Sequence, residues 1–249
     1  MQKKNLLNQI VAIMPMAGEG LRFKNFGHKI PKPLIKIKST PMFMKAAMSF
    51  SKYLKWIFVA QSNLKINSIF KNALKNFKSK NVIYLNKITK GQAATVFKAL
   101  HFLRNDKTIL IHSCDLSFNI KMSEILKEMK KFDVLVFTSK GKKYNFDNPT
   151  QFSWVRYNSN KKKLEISLKK NFKDKKLKSR LLIGSFVFKN KKVLSKCLFY
   201  LFKKRKRIKK EYYIDQAASL SSKLGFKLGE KIIKNYKSWG SHIEMKRYN

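Results

Sequence analysis

Gly18, Gly20, Arg22 and Lys32 stand close together in a stretch that reads VAIMPMAGEGLRFKNFGHKIPKPLIKI from Val11 to Ile37. The apolar run Ile10–Met14 leads into them through Pro15, Met16 and Ala17. A buried strand feeding a loop with two near-adjacent glycines lets backbone N–H groups approach an anionic or planar ligand closely. Arg22 adds a planar fork of donors, and Lys32, set between Pro31 and Pro33, a compact point charge. Phosphate is the anion that calls for both, so the stretch reads as a nucleotide site. Spacing removes two familiar phosphate loops. A Walker loop needs two glycines five apart followed by Lys and Ser or Thr, and the chain has no such run. The dinucleotide fingerprint needs Gly or Ala where this chain has Phe23.

Two further segments hold side chains suited to chemistry. Gly91 and Gln92, in TKGQAAT from Thr89 to Thr95, open a helical pattern. Backbone donors at a helix start favour phosphate or a polar base edge, and Gln92 carries donor and acceptor on one amide. Taken alone, however, this segment suits an ordinary glycine turn into an amphipathic helix better. Ile109–Asp115, reading ILIHSCD, is an apolar strand ending in a carboxylate. At the carboxyl end of a sheet strand an Asp points into the crevice where open α/β folds bind ligands, though such residues also cap ordinary turns. Its hard oxygens suit Mg²⁺, which takes one or two carboxylates together with substrate phosphates. Cys114 beside it reads as a small buried filler. The four histidines show no metal-ligand spacing, and His28 and His242 read as local hydrogen-bonding or surface residues.

Hydrophobic patterning supplies the elements that must position these groups. Strands are predicted at Ile10–Met14, Trp56–Ala60, Val82–Leu85, Thr108–His112 and Phe132–Thr138. Helices are predicted between them at Met42–Tyr53, Leu64–Phe77, Gly91–Leu103 and Met122–Lys131. Continuous apolar strands alternating with helices indicate a parallel sheet covered on both faces. Shorter strands follow at Phe152–Tyr157, Leu164–Leu168 and Leu181–Phe188. Helices are then expected at Lys191–Lys204 and Tyr212–Leu224, with a strand near Lys227–Ile233. No repeat and no linker is visible. The expectation is one mixed α/β domain over residues 1–249, with a nucleotide-binding half (1–140) and an acceptor-binding half with a C-terminal tail (141–249).

Composition bounds the function classes. A chain of 249 residues with 44% hydrophobic and 13% aromatic residues can bury a sizeable core and is not disordered. No apolar run reaches membrane-span length, and Met1–Asn5 leads onward without a signal-peptide core. Cys114 and Cys197 make no disulfide framework and no metal spacing, so a cytoplasmic location is expected. Lys and Arg number 57 against 13 acidic residues, a net +44. Such charge suits a polyanion binder. It also suits a bias toward A and T codons, which the wealth of Lys, Asn, Phe and Ile supports. Because the cations are spread along the chain, with one dense run at Lys203–Lys210, bias is the favoured reading and no specific nucleic-acid partner is expected.

Read whole, M-A-G-x-G-x-R-F followed by P-K-P-L resembles the opening signature of nucleoside-triphosphate transferases that make activated sugars and related alcohols. IMPMAGEGLRF with GHKIPKPL is similar to the capsule and surface-glycan branch. The resemblance implies a Rossmann-like doubly wound mixed sheet of the nucleotidyltransferase, glycosyltransferase A-like type. It implies that Met16, Ala17, Gly18, Gly20, Gly91 and Gln92 bind the nucleotide, with Gln92 on the base. Arg22 and Lys32 would bear on the triphosphate, and Asp115 would hold Mg²⁺. QFSWV at Gln151–Val155 resembles F-G-W-V, and EISLKK at Glu165–Lys170 resembles V-x-V-K-K, placing Lys169 on the acceptor phosphate. Gly184, in IGSFVF, would let the acceptor approach the backbone, and Glu211, in EYYID, would line the acceptor pocket. SWGSHIEM at Ser238–Met245 looks like S-W-G-T-P-E-D-L. Related branches carry an Asp metal ligand where this chain has Ser238. The implied reaction joins a nucleoside triphosphate (CTP, UTP or dTTP) to a phosphorylated sugar or alcohol and releases pyrophosphate; a homo-oligomer is compatible with it. Two other classes remain, a noncatalytic nucleotide-sugar binder and a basic nucleic-acid binder. A glycosyltransferase would want D-x-D, which Asp115-Leu116-Ser117 does not supply.

Overall fold

A computed structural model describes residues 6–51, 53–172 and 178–248. The reading of Met1–Asn5 therefore lies outside the described residues, as does Lys52 within the helix predicted for Met42–Tyr53. Through the described residues the strands are β1 (Ile10–Met16), β2 (Lys36–Ile37), β3 (Thr40–Pro41), β4 (Lys55–Gln61), β5 (Ser79–Leu85), β6 (Thr108–His112), β7 (Leu116–Ser117), β8 (Val134–Ser139), β9 (Ser153–Asn158), β10 (Lys163–Ser167), β11 (Arg180–Phe188), β12 (Leu228–Ile232) and β13 (Lys237–Ser238). Nine of them form one sheet. β5, β4, β1 and β6 are parallel neighbours in that order.

β1 shows why the apolar runs are continuous. Ile10, Ala12, Met14 and Met16 face one core, and Val11 and Ile13 face the other. β4 repeats the division, with Trp56, Phe58 and Ala60 on the first side and Ile57 and Val59 on the second. The helices Met42–Ala47, Ser68–Leu74 and Met122–Met129 cover the first face. Gln92–Phe97, Lys191–Lys203 and Ile214–Ser221 cover the second. This is the doubly wound arrangement expected, and each fully buried aromatic such as Phe43, Phe58 or Phe70 contributes roughly 1.5–3 kcal/mol by leaving water.

β11 is the pivot of the second half. It runs antiparallel to β6 through Ser185–Phe188, then swaps that neighbour for β9 at Arg180–Leu182. Its other edge holds β8 throughout, with an irregularity between Leu182 and Phe186, and β8 pairs in parallel with β12. One sheet thus runs across residue 140. β9, β10 and the first part of β11 are carried past the end of β6, beside the residues that follow it.

Several predicted helices are shorter than their patterns. Met42–Tyr53 ends at Ala47, because Ser49 turns inward and its Oγ accepts the Phe118 N–H at 3.1 Å. Gly91–Leu103 is α-helical only over Gln92–Phe97, then becomes a 3₁₀ turn at Leu100–Phe102. Short helices at Leu21–Lys24, Lys143–Asp147 and His242–Lys246 were not visible as periodic patterns. Among the described residues no helix is long and apolar enough to cross a membrane.

Candidate functional site

β1 delivers the glycine loop to the carboxyl end of the sheet. Gly20 adopts φ +69°, and a Cβ there would stand 3.1 Å from the Lys32 Cβ, so glycine is needed for the turn and for the approach of Lys32. Gly18 faces open space. Gln61, at the end of β4, donates its amide to the carbonyls of Ala17 and Gly18, both at 3.2 Å. Sequence reasoning passed over Gln61, yet it is a polar residue closing an apolar strand, the same signal that marks Asp115. A cavity of about 240 Å³ lies against the loop, with Met16, Gly18, Gly20, Lys32 and Gln61 on its wall.

Lys32 Nζ meets Asp115 Oδ2 at 2.5 Å, with the two side chains 19% and 23% exposed. Burial works against both charges, but each holds the other ionised: the Asp115 carboxylate keeps Lys32 above its ordinary value and Lys32 keeps Asp115 below. Arg22 is exposed on the short helix Leu21–Lys24, and its positive charge favours the Asp115 and Glu244 carboxylates while opposing the Lys32 ammonium. Asp115 is fixed from behind by its own carbonyl, which accepts the Trp239 N–H at 2.7 Å. Burial pushes the neighbouring Cys114 thiol up to about 12, which leaves it protonated and inert.

Gly91 and Gln92 open the helix Gln92–Phe97, and Tyr212 packs against its start. At Gly91, φ is +103°, and a Cβ would strike the Tyr212 carbonyl oxygen at 2.6 Å and nitrogen at 2.7 Å. The Ala93 N–H donates to that carbonyl at 2.9 Å, and the Tyr212 N–H to Lys90 O at 2.8 Å. Backbone packing against Tyr212 thus requires the glycine, and it takes one donor at the helix start away from any phosphate. The Gln92 amide donates to Ser113 Oγ at 2.9 Å. Ser113 fills the space a Cβ at Gly184 would need, with its Oγ at 2.5 Å from that position, and donates its N–H to Gly184 O at 2.9 Å. Gln92, Ser113 and Gly184 are therefore one contact chain beside Asp115, and Ser113 had no sequence signal of its own.

Lys169 carries φ +54°, a left-handed backbone unusual for lysine. Its N–H donates to Ser153 Oγ at 3.2 Å, and the Ser153 hydroxyl donates to the buried Asp215 at 2.5 Å. Its Nζ reaches Gln151 O at 3.4 Å and lies 4.5 Å from the Tyr213 ring centroid. Burial, then the Glu211 carboxylate, pushes Tyr213 up to about 12. Lys169, Tyr213 and Glu211 are thereby joined, and Glu211 packs on Gly91.

The metal question turns on Gly240. A Cβ there would lie 3.3 Å from Glu244 Oε2, 3.5 Å from Asp115 Oδ2 and 3.6 Å from Ser238 Oγ. Among the described residues no three His, Cys, Asp or Glu side chains gather as a metal cluster. Two carboxylates and a hydroxyl border this notch, with the Asp115 oxygen on it already held by Lys32; a hard divalent cation completed by phosphate and water would share or displace that contact. Burial raises the Glu244 carboxyl above its ordinary range against the pull of Ser238 and Ser241, and a bound cation would reverse this. The two histidines meet nearby, His28 Nε2 to His242 Nδ1 at 3.0 Å, tying the glycine loop to the C-terminal helix.

No curated protein matches the chain. Among solved structures it resembles the nucleoside-diphosphate-sugar pyrophosphorylase from Vibrio cholerae RC9, with TM-score 0.76, 17% identity, and 95% of this chain and 98% of that one covered. It also resembles the inositol-1-phosphate CTP transferase from T. maritima, with TM-score 0.68, 16% identity, and coverage of 94% and 90%. At these identities the likeness is one of fold. A family profile described as nucleotidyl transferase matches residues 11–218, from the start of the glycine-loop strand through the helix that carries Asp215. With that match across most of its length, the chain belongs to the nucleotidyl transferase family.

Proposed function

We propose that the chain transfers a nucleotidyl group from a pyrimidine nucleoside triphosphate, CTP, UTP or dTTP, to the phosphate of a phosphorylated sugar or alcohol, in the cytoplasm, for surface-polysaccharide precursors. An acceptor phosphate oxygen attacks the α-phosphorus, the new P–O–P bond forms, and the α–β bridging bond breaks to release pyrophosphate. The nucleophile is already anionic and needs no general base. The protein's task is then positioning and charge stabilisation. The glycine loop and Gln92 hold the nucleotide, Arg22 and Lys32 face its phosphates, and Lys169, in its strained seat on Ser153, faces the acceptor phosphate. Gly184 and Glu211 shape the wall between them. Asp115, with Glu244 and Ser238 beside it, would hold magnesium, which supplies positive charge to phosphate oxygens when bound.

The observation that carries this reading is the meeting of Lys32 and Asp115 at 2.5 Å, directly beside Gly20. Sequence-distant groups from the glycine loop, the P-K-P-L segment and the end of β6 converge on one point. Pyrophosphate release, measured with each triphosphate against a panel of sugar and alcohol phosphates, with Mg²⁺ and with chelator, tests it. Release with one pyrimidine triphosphate, lost on chelation, is the expected result. Tight nucleotide binding with no release from any pair would instead select the noncatalytic binder, the reading that Ser238 in place of an acidic residue favours.

A further inference from the structure

A second cavity, of about 410 Å³, opens where the chain leaves β8 and β12 and meets the C-terminal helix. It adjoins the proposed reaction centre at two points. On one side its wall includes Ser238 and Glu244, which share the Gly240 notch with Asp115. On the other it includes Tyr144, whose hydroxyl donates to Gln151 Oε1 at 3.3 Å, and the Gln151 carbonyl receives Lys169 Nζ. The cavity therefore links the surroundings of Asp115 with those of Lys169.

Its walls are built for negative charge. Lys140, Lys142, Lys234 and Arg247 surround it, and among the described residues none of the four forms an ion pair. Aromatic side chains hold two of them in place. Arg247 lies 5.6 Å from the Tyr144 ring centroid, and Lys142 lies 5.9 Å from that of Tyr248 and 3.4 Å from its hydroxyl. The acid on the wall, Glu244, already takes a hydrogen bond from Ser241 Oγ at 3.1 Å. Lysine and arginine offer donors and no acceptor, so sugar hydroxyls alone would leave these four charges without a counter-ion. An anion supplies that counter-charge and accepts charge-assisted hydrogen bonds.

We propose that this cavity receives the non-reacting end of the acceptor, and that this end carries a second anionic group, a carboxylate or phosphate, on a sugar or polyol. The inference rests on the reaction proposed above for its placement, and it can fail separately.

Glucose 1-phosphate and glucuronic acid 1-phosphate differ only in a hydroxymethyl against a carboxylate, and calorimetry with the full chain compares their binding. Glucuronic acid 1-phosphate is expected to bind about tenfold more tightly. The ratio should fall to near one in the double variant Lys140→Ala/Lys234→Ala. It should persist in Lys71→Ala/Lys75→Ala, which removes the same charge from a remote helix, with melting curves confirming that both variants fold. Equal affinities in the parent chain, a ratio that survives the cavity variant, or one that the remote variant abolishes equally would each overturn the inference. Pyrophosphate release measured in parallel separates the two readings: release without a ratio defeats the cavity inference alone, and a ratio without release from any triphosphate defeats the proposed reaction alone.

Discussion

Lys32 Nζ and Asp115 Oδ2 stand 2.5 Å apart across 83 positions of sequence. The pair couples the loop that follows β1 to the end of β6, so one change at either residue disturbs both the charge balance and the geometry of the cluster.

Asp115→Asn should keep the fold and lower turnover by roughly a hundredfold or more, the scale seen when one preorganised charged group is removed. Circular dichroism and a pyrophosphate-release assay check the two halves. An unchanged rate would remove Asp115 from the reaction. The pH response has a sign. Asp115 is depressed from its ordinary 3.8, so its contribution to stability is present above that value and disappears as pH falls through the lower folded value. Lys32 is raised from 10.5, so its contribution is complete below 10.5 and disappears as pH rises through the higher folded value.

His112 is buried between Ser185 Oγ, at 2.5 Å, and the Ala46 carbonyl, at 3.0 Å, and burial pushes it down to about 4 from 6.5. The unfolded chain binds this proton more readily between those values, so stability should decline as pH drops from 6.5 toward 4, by roughly 3 kcal/mol at the most. Urea titrations at a series of pH values read the slope. In His112→Gln the part of the slope due to this group should vanish.

Gly91→Ala should destabilise the chain by about 1–3 kcal/mol, because the new methyl meets Tyr212 backbone atoms at 2.6 and 2.7 Å in a left-handed conformation. Chemical denaturation measures the loss. Wild-type stability in this variant would mean that the contact with Tyr212 relaxes at no cost.

Ser153→Ala removes the donor to Asp215 and the acceptor for the Lys169 N–H. A stability loss of about 1–3 kcal/mol is expected because the buried Asp215 Oδ2 loses its donor, while Oδ1 keeps the Gln216 N–H. The acceptor KM should rise while the triphosphate KM stays near its original value, since the lost hydroxyl is the seat of Lys169. An equal rise in both would mean that Lys169 does not act on the acceptor.

The sequence by itself determined the layered fold and the glycine turn that follows β1. Both are local matters: strands buried on both faces must be apolar at every position, as β1 is, and tight turns need Gly20 where φ is positive. Polarity closing the apolar run at Ile109–Asp115 is also visible in one dimension, although the strand itself ends at His112 and Asp115 lies in the turn that follows. Tertiary structure alone decided which groups meet. That Gly184 is glycine to admit Ser113, that Gly91 is glycine to admit Tyr212, and that Glu244 comes to share a notch with Asp115 depend on strand crossings and a C-terminal return between distant segments. The pairing of β11 with β6 brings Gly184 to Ser113, that of β13 with β7 brings the C-terminal segment to Asp115, and no periodicity in the chain encodes which neighbour a strand will choose.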